Sequence, residues 1–150
     1  MSGVRIDHNS YAMPPRDGFT VAHFLTVADI DRSLRFYETV FGGRALSRGD
    51  SKGAPGYVQI ENSWLLVNVG GGPTPDKPSV TLSVLADRDK ISSFMNIRVA
   101  DIQASYELWK SRGAEFITKP IPKYGESRCY IRDPDGYLIE VGQSTDVKYG

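Results

Sequence analysis

The tetrapeptide Val27-Ala28-Asp29-Ile30 returns as Val99-Ala100-Asp101-Ile102, and the chain around each copy follows one plan. An extended apolar segment (residues 19–27 and 92–99) runs into an amphipathic helix opened by the Asp, and short strands follow. Solenoid repeats have periods of roughly 20 to 50 residues, shorter than the spacing here, and two copies do not make an array. The repeat therefore describes two halves of one domain.

Composition narrows the class. A chain of 150 residues buries a core without staples. Its 18 basic side chains equal its 18 acidic ones, which points away from nucleic acid and from anionic membrane surfaces. The single Cys129 forms no disulfide within one chain; it fits a reducing compartment and rules out a thiolate metal cluster in that chain. No apolar run approaches the roughly 20 residues that cross a bilayer, and the first residues carry no signal-like apolar stretch. The expectation is a cytoplasmic protein.

Residues 1–18, with Pro14-Pro15 and Asp17-Gly18 as breakers and His8 solvated, read as an irregular arm. Module one covers residues 19–69, a glycine- and proline-rich linker 70–91, module two 92–143 and a tail 144–150. In module one a strand precedes a helix capped by Asp29, with Ile30, Leu34, Phe36, Tyr37, Val40 and Phe41 on its apolar face and Gly42-Gly43 at its end. Strands follow near 44–47, 57–61 and 64–69, the last two joined at Asn62-Ser63; a further short strand is possible at 79–85. Module two repeats the order: a strand at 94–99, a helix capped by Asp101 with Ile102, Tyr106, Leu108 and Trp109, then strands near 115–118, 128–132 and 137–142. Asp133-Pro134-Asp135-Gly136 turns between the last two.

Arg32-Ser33 and Phe36-Tyr37 ahead of Gly42-Gly43 in the first half, with Asp133-Pro134-Asp135-Gly136-Tyr137-Leu138-Ile139-Glu140 in the second, resemble the vicinal oxygen chelate superfamily. That group includes glyoxalase I, bleomycin-resistance proteins, epimerases, fosfomycin-resistance enzymes and extradiol dioxygenases. The resemblance spans residues 19–143. It implies an α+β fold of two βαβββ modules curled into an open barrel around a small-molecule cavity, and a homodimer as the assembly. One fold hosts many reactions, so it says less about chemistry.

The resemblance also implies a divalent metal (zinc, nickel, iron or manganese) held by side chains from the first and last strands of each half. The first-strand positions hold Ala22 and Phe94, and the last-strand positions hold Val67 and Glu140. Only Glu140 is a ligand type, so no metal cofactor is the favoured reading, with His23 and Glu140 as the alternative pair. His23 lies one residue from the family position, and strand alternation sends it to the helix side, with Val21, Leu25 and Val27, unless a bulge shifts the phase. The plainer reading packs it between helix and sheet.

Alternation also predicts a cavity lining. Val58, Ile60, Met95, Ile97, Val99, Cys129, Ile131, Tyr137, Ile139 and Val141 should meet the helices. The opposite faces then bring Phe24, Tyr57, Gln59, Phe94, Asn96, Arg98, Arg128, Tyr130, Leu138 and Glu140 to a ligand. Arg98 and Arg128 suit a carboxylate or phosphate, or else pair with Glu140 or Glu61 as structure. Glu140 reads as a structural or ligand-binding carboxylate first; catalysis by Glu140 and Tyr130 remains open, a general base needing a buried setting that holds its proton near neutrality. Cys129, Trp64 and Trp109 read as core or interface residues.

Phosphate-loop, Gly-x-Ser-x-Gly and His-Glu-x-x-His motifs are absent. Two classes remain: a metal-independent binder of an amphipathic, anionic small molecule, similar in role to bleomycin-resistance proteins, and a glyoxalase-like lyase or isomerase, epimerase or dioxygenase using a metal at His23 and Glu140.

Overall fold

The computed structural model describes residues 12–145; His8 and most of the predicted arm and tail lie outside that range. The chain divides into two compact units, one ending at Ser83 and one beginning at Val84, so the boundary falls inside the predicted linker.

The first unit runs β1 (Ala22–Thr26), α1 (Ile30–Phe41), β2 (Arg44–Arg48), β3 (Gly56–Ile60) and β4 (Ser63–Asn68). Its sheet has the order β1-β4-β3-β2, with β1 parallel to β4 and the other pairs antiparallel. The Asp29 carboxylate accepts the Arg32 N–H at 2.9 Å and caps α1. Gly42, at φ 70°, ends the helix in the left-handed conformation. Ser33, Leu34, Tyr37 and Val40 are the helix's buried residues. Gly56 lets α1 lie close to the sheet, because a Cβ there would stand 3.0 Å from Ile30, Leu34 and Val67.

The second unit runs β5 (Met95–Arg98), α2 (Ile102–Ser111), β6 (Glu115–Phe116), β7 (Ile121–Lys123), β8 (Glu126–Arg132) and β9 (Leu138–Ser144). Its sheet has the order β5-β9-β8-β6, with β5 parallel to β9 and β7 pairing with β8 beyond β6. The edge strand that is continuous as β2 in the first unit is thus broken in two. Pro122 sits in the second piece, an edge position where a missing N–H is tolerated. Asp101 caps α2 through the Ala104 N–H at 3.0 Å, but Ile102 is this helix's one buried residue. The predicted apolar face is only partly used, with Leu108 exposed.

Three expectations need correction. The β3–β4 turn lies at Glu61-Asn62, since Ile60 faces Ser63 and Glu61 has φ 49°. The predicted strand at 79–85 is absent; the segment is pinned instead by one isolated bridge, from Leu82 to Gly71. His23 shares the face of Leu65 and Val67, as alternation requires, yet it is exposed. Helix α1 packs chiefly on β3, β2 and β4, and the start of this edge strand is open to solvent.

The two hairpins differ in length, and this resets the equivalence of the halves. Across β8–β9 the turn is longer: the Asp133 N–H donates to the Tyr137 carbonyl at 2.9 Å, and the Asp133 carboxylate accepts the Asp135 and Tyr137 N–H groups, each at 2.9 Å. Phe24 faces Leu66 in the first unit, whereas Asn96 faces Glu140 in the second. The counterpart of Glu140 is therefore Leu66, not Val67, and the first unit supplies no ligand type at either position.

Candidate ligand-binding face

In the second unit, Met95, Ile97, Cys129, Ile131, Ile139 and Val141 share one face of the sheet. Cys129, Ile131, Ile139 and Val141 are buried. Burial pushes the Cys129 thiol up to about 11, so it is neither thiolate nor nucleophile at neutral pH. The opposite face gathers Asn96 and Arg98 from β5, Glu126, Arg128 and Tyr130 from β8, and Leu138, Glu140, Gly142 and Ser144 from β9.

Glu140, 4% exposed, is the centre of this face. Asn96 Nδ2 donates to its Oε2 at 2.5 Å and Tyr130 Oη to its Oε1 at 2.6 Å. Arg98 Nη1 reaches Oε2 at 3.2 Å, and Arg128 Nη1 stands 4.0 Å from Oε1. A second carboxylate, Glu126, links the same guanidinium groups: its Oε2 lies 3.3 Å from Arg98 Nη2 and its Oε1 3.1 Å from Arg128 Nε. Ser144 Oγ accepts from Arg98 Nη2 at 3.1 Å. The Tyr130 phenol is held above the usual tyrosine range, first by its hydrogen bond to Glu140, then by burial and the carboxylate's charge, while Arg128 pulls the other way. Phe94 is exposed and meets the Tyr130 ring edge-to-face at a centroid separation of 5.9 Å.

Gly142 makes this arrangement possible. A Cβ there would come within 2.1 Å of Arg98 Nη1, so the guanidinium lies across a position that any other residue would fill.

The remaining residues predicted to meet a ligand lie in the first unit. Phe24 borders a groove of about 460 Å³ with Asn68, Gly71, Gly72, Lys77 and Leu82. Gln59 is buried and accepts from Arg44 Nη2 at 2.7 Å. Tyr57 is half-buried and stands opposite Leu66. Sequence reasoning missed Glu126, Ser144 and Gly142; Glu126 shares parity with Arg128 and Tyr130, but it precedes the start predicted for its strand.

The model of the Glyoxalase/Bleomycin resistance protein/Dioxygenase superfamily matches residues 20–141. The chain belongs to this superfamily. It is 27% identical over 133 residues to a probable lactoylglutathione lyase of Vibrio cholerae, covering 84% of this chain and 91% of that one. Among solved structures, an integron cassette protein from the mobile metagenome of V. cholerae superposes with TM-score 0.61 at 23% identity, over 85% of this chain and 96% of the other. TnmS3, an antibiotic binding protein from Streptomyces sp. CB03234, superposes with TM-score 0.58 at 19% identity, over 83% and 94%.

The divalent metal used in this superfamily finds a poor donor set on this face. Two guanidinium groups flank the one carboxylate that stands at a family position, and Asn96 and Tyr130 donate to it. Among the described residues no three His, Cys, Asp or Glu side chains come together as a metal site. His23 lies on the face of its own sheet opposite to Phe24.

Proposed function

We propose that this superfamily member binds an amphipathic organic molecule through the face built on Glu140, without a metal and without bond chemistry, as a sequestering protein similar in role to the bleomycin-resistance branch. Homodimerisation and a cytoplasmic location belong to the same reading. The observation that supports it is the set of donors already engaged by Glu140. A carboxylate already accepting from Asn96, Tyr130 and Arg98 is placed neither to ligate a cation nor to take a proton from a substrate. What the face offers a ligand is the exposed Phe94 ring beside Tyr130 and the partly exposed Arg98 and Arg128. The fold shared with an antibiotic binding protein is consistent with this.

A lyase or isomerase reading rests on the relatives named lactoylglutathione lyase and requires a metal at His23 and Glu140. The test is elemental mass spectrometry of tag-free protein purified without chelator, repeated after loading with nickel, zinc, manganese and iron(II) and desalting. The expected result is no retained metal. Near-stoichiometric metal that disappears in both His23→Ala and Glu140→Ala would replace the binding reading with the metalloenzyme one.

A further inference from the structure

The two carboxylates of this face are not equivalent. The Glu140 side chain is 6% exposed and is also held by Asn96 and Tyr130, whereas the Glu126 side chain is 29% exposed and sits at the first residue of β8. It follows a turn in which Tyr124 and Gly125 both have positive φ. Each Glu126 oxygen is engaged by a different arginine, Oε2 by Arg98 and Oε1 by Arg128, so a single carboxylate bridges two guanidinium groups contributed by separate strands. Guanidinium pairs that grip the two oxygens of one carboxylate form a recognition geometry for that group, and such charge-assisted contacts are strong enough to select for it.

We propose that Arg98 and Arg128 form a carboxylate-binding cradle, that Glu126 occupies it as a displaceable internal ligand, and that the protein's ligand is an aromatic carboxylate whose acid group takes the place of Glu126. This rests on the small-molecule reading above and names its ligand class. Glu140 neutralises and positions the arginines, and its burial keeps it in place when Glu126 leaves. The length of the ligand follows from the contacts around Glu140. Tyr130 Oη stands 2.6 Å from Glu140 Oε1, and the same oxygen is 4.0 Å from Arg128 Nη1, so the phenol lies within about 7 Å of the cradle. A one-ring body with a short acid arm therefore fits between Phe94–Tyr130 and the arginines. No bond is made or broken; one carboxylate exchanges for another, and the face keeps its charge balance when Glu126 turns to solvent.

Phenylacetate and its neutral amide serve as probes, titrated calorimetrically into the full chain. Removing the internal competitor in Glu126→Ala should raise carboxylate affinity roughly tenfold or more, about 1.4 kcal/mol per tenfold, and leave amide affinity unchanged. Glu126→Gln, which keeps the side chain's bulk, should shift in the same direction and stands in if the alanine variant folds poorly. Adding Arg98→Ala to Glu126→Ala should abolish the gain. Unchanged or weaker carboxylate binding in both Glu126 variants, or an equal gain for acid and amide, overturns the proposal. Amide binding with no preference for the acid in any variant overturns the carboxylate cradle while leaving the small-molecule reading in place. Silence of both probes in every variant counts against both, and metal content then decides whether the metalloenzyme reading takes over.

Discussion

Glu140 and Gly142 stand two residues apart on the same face of β9, and between them they fix where Arg98 lies: the first attracts its guanidinium and the second leaves the space it occupies. In Gly142→Ala the clash falls on the end of a flexible side chain, so the fold should survive with a stability change within about 1 kcal/mol. Arg98 should nevertheless leave Glu140, and binding of an aromatic carboxylate should fall as it does in Arg98→Ala; thermal unfolding and titration calorimetry on the same variant separate the two effects. Tyr130 gives a second readout. Because its phenol is held above the usual range by Glu140, its contribution to stability is complete below the ordinary tyrosine pKa near 10 and is lost as pH rises through the higher folded value. An alkaline titration followed by tyrosinate absorbance should show a late component that belongs to Tyr130. Tyr130→Phe should remove it and Glu140→Gln should move it earlier. Much of this site was legible from alternation alone, since Asn96, Arg98, Arg128, Tyr130 and Glu140 all share the predicted parity. Glu126 and Ser144 were not legible, because they lie just outside the strand ends read at 128 and 142 and so received no face.

At the level of elements, the two helices begin alike and end differently. Both are capped by an Asp three residues ahead of the N–H it accepts, a feature plain in the repeated Val-Ala-Asp-Ile. Leu34, Tyr37 and Val40 anchor α1 in the core, while α2 buries only Ile102. A cap contributes about 1 kcal/mol in either helix, but where little packing backs it up, its loss is felt locally. Asp101→Ala should therefore speed amide exchange across α2 by roughly fivefold, the factor that corresponds to about 1 kcal/mol. Asp29→Ala should accelerate mainly the first turn of α1. The strand hairpins carry the complementary lesson. Aligning the halves on their sequence repeat assumes turns of equal length, whereas Glu61-Asn62 closes β3–β4 tightly and the Asp133 carboxylate organises a longer turn in β8–β9. A one-residue difference reverses which side chain faces which way, and that is why Leu66 rather than Val67 matches Glu140. Likewise the break between β6 and β7 had no periodic signal, for pieces of two and three residues are too short to show one.

For the molecule as a whole, membership of the superfamily leaves two activities in contention, because this fold is shared by relatives named lactoylglutathione lyase and by a structure described as an antibiotic binding protein. Global unfolding discriminates between them. A cation that binds only the folded chain stabilises it by about 2.7 kcal/mol when present at 100 times its dissociation constant. For a chain of this size each kcal/mol is worth about 2–4 °C in Tm, so a resident metal site would lift Tm by roughly 5–10 °C on loading and lose that increment to a chelator. The donor set on the Glu140 face opposes such a site with the two arginines beside the carboxylate, and the expected result is a Tm indifferent to chelator and to added nickel, zinc or manganese. Replacing Arg98 by Ala removes one of those positive charges. If the arginine is what keeps a cation away from Glu140, Arg98→Ala should show a metal-dependent rise that the parent chain lacks, whereas a parent chain that already responds, and loses the response in Glu140→Ala, would place the metal on Glu140 despite the arginines.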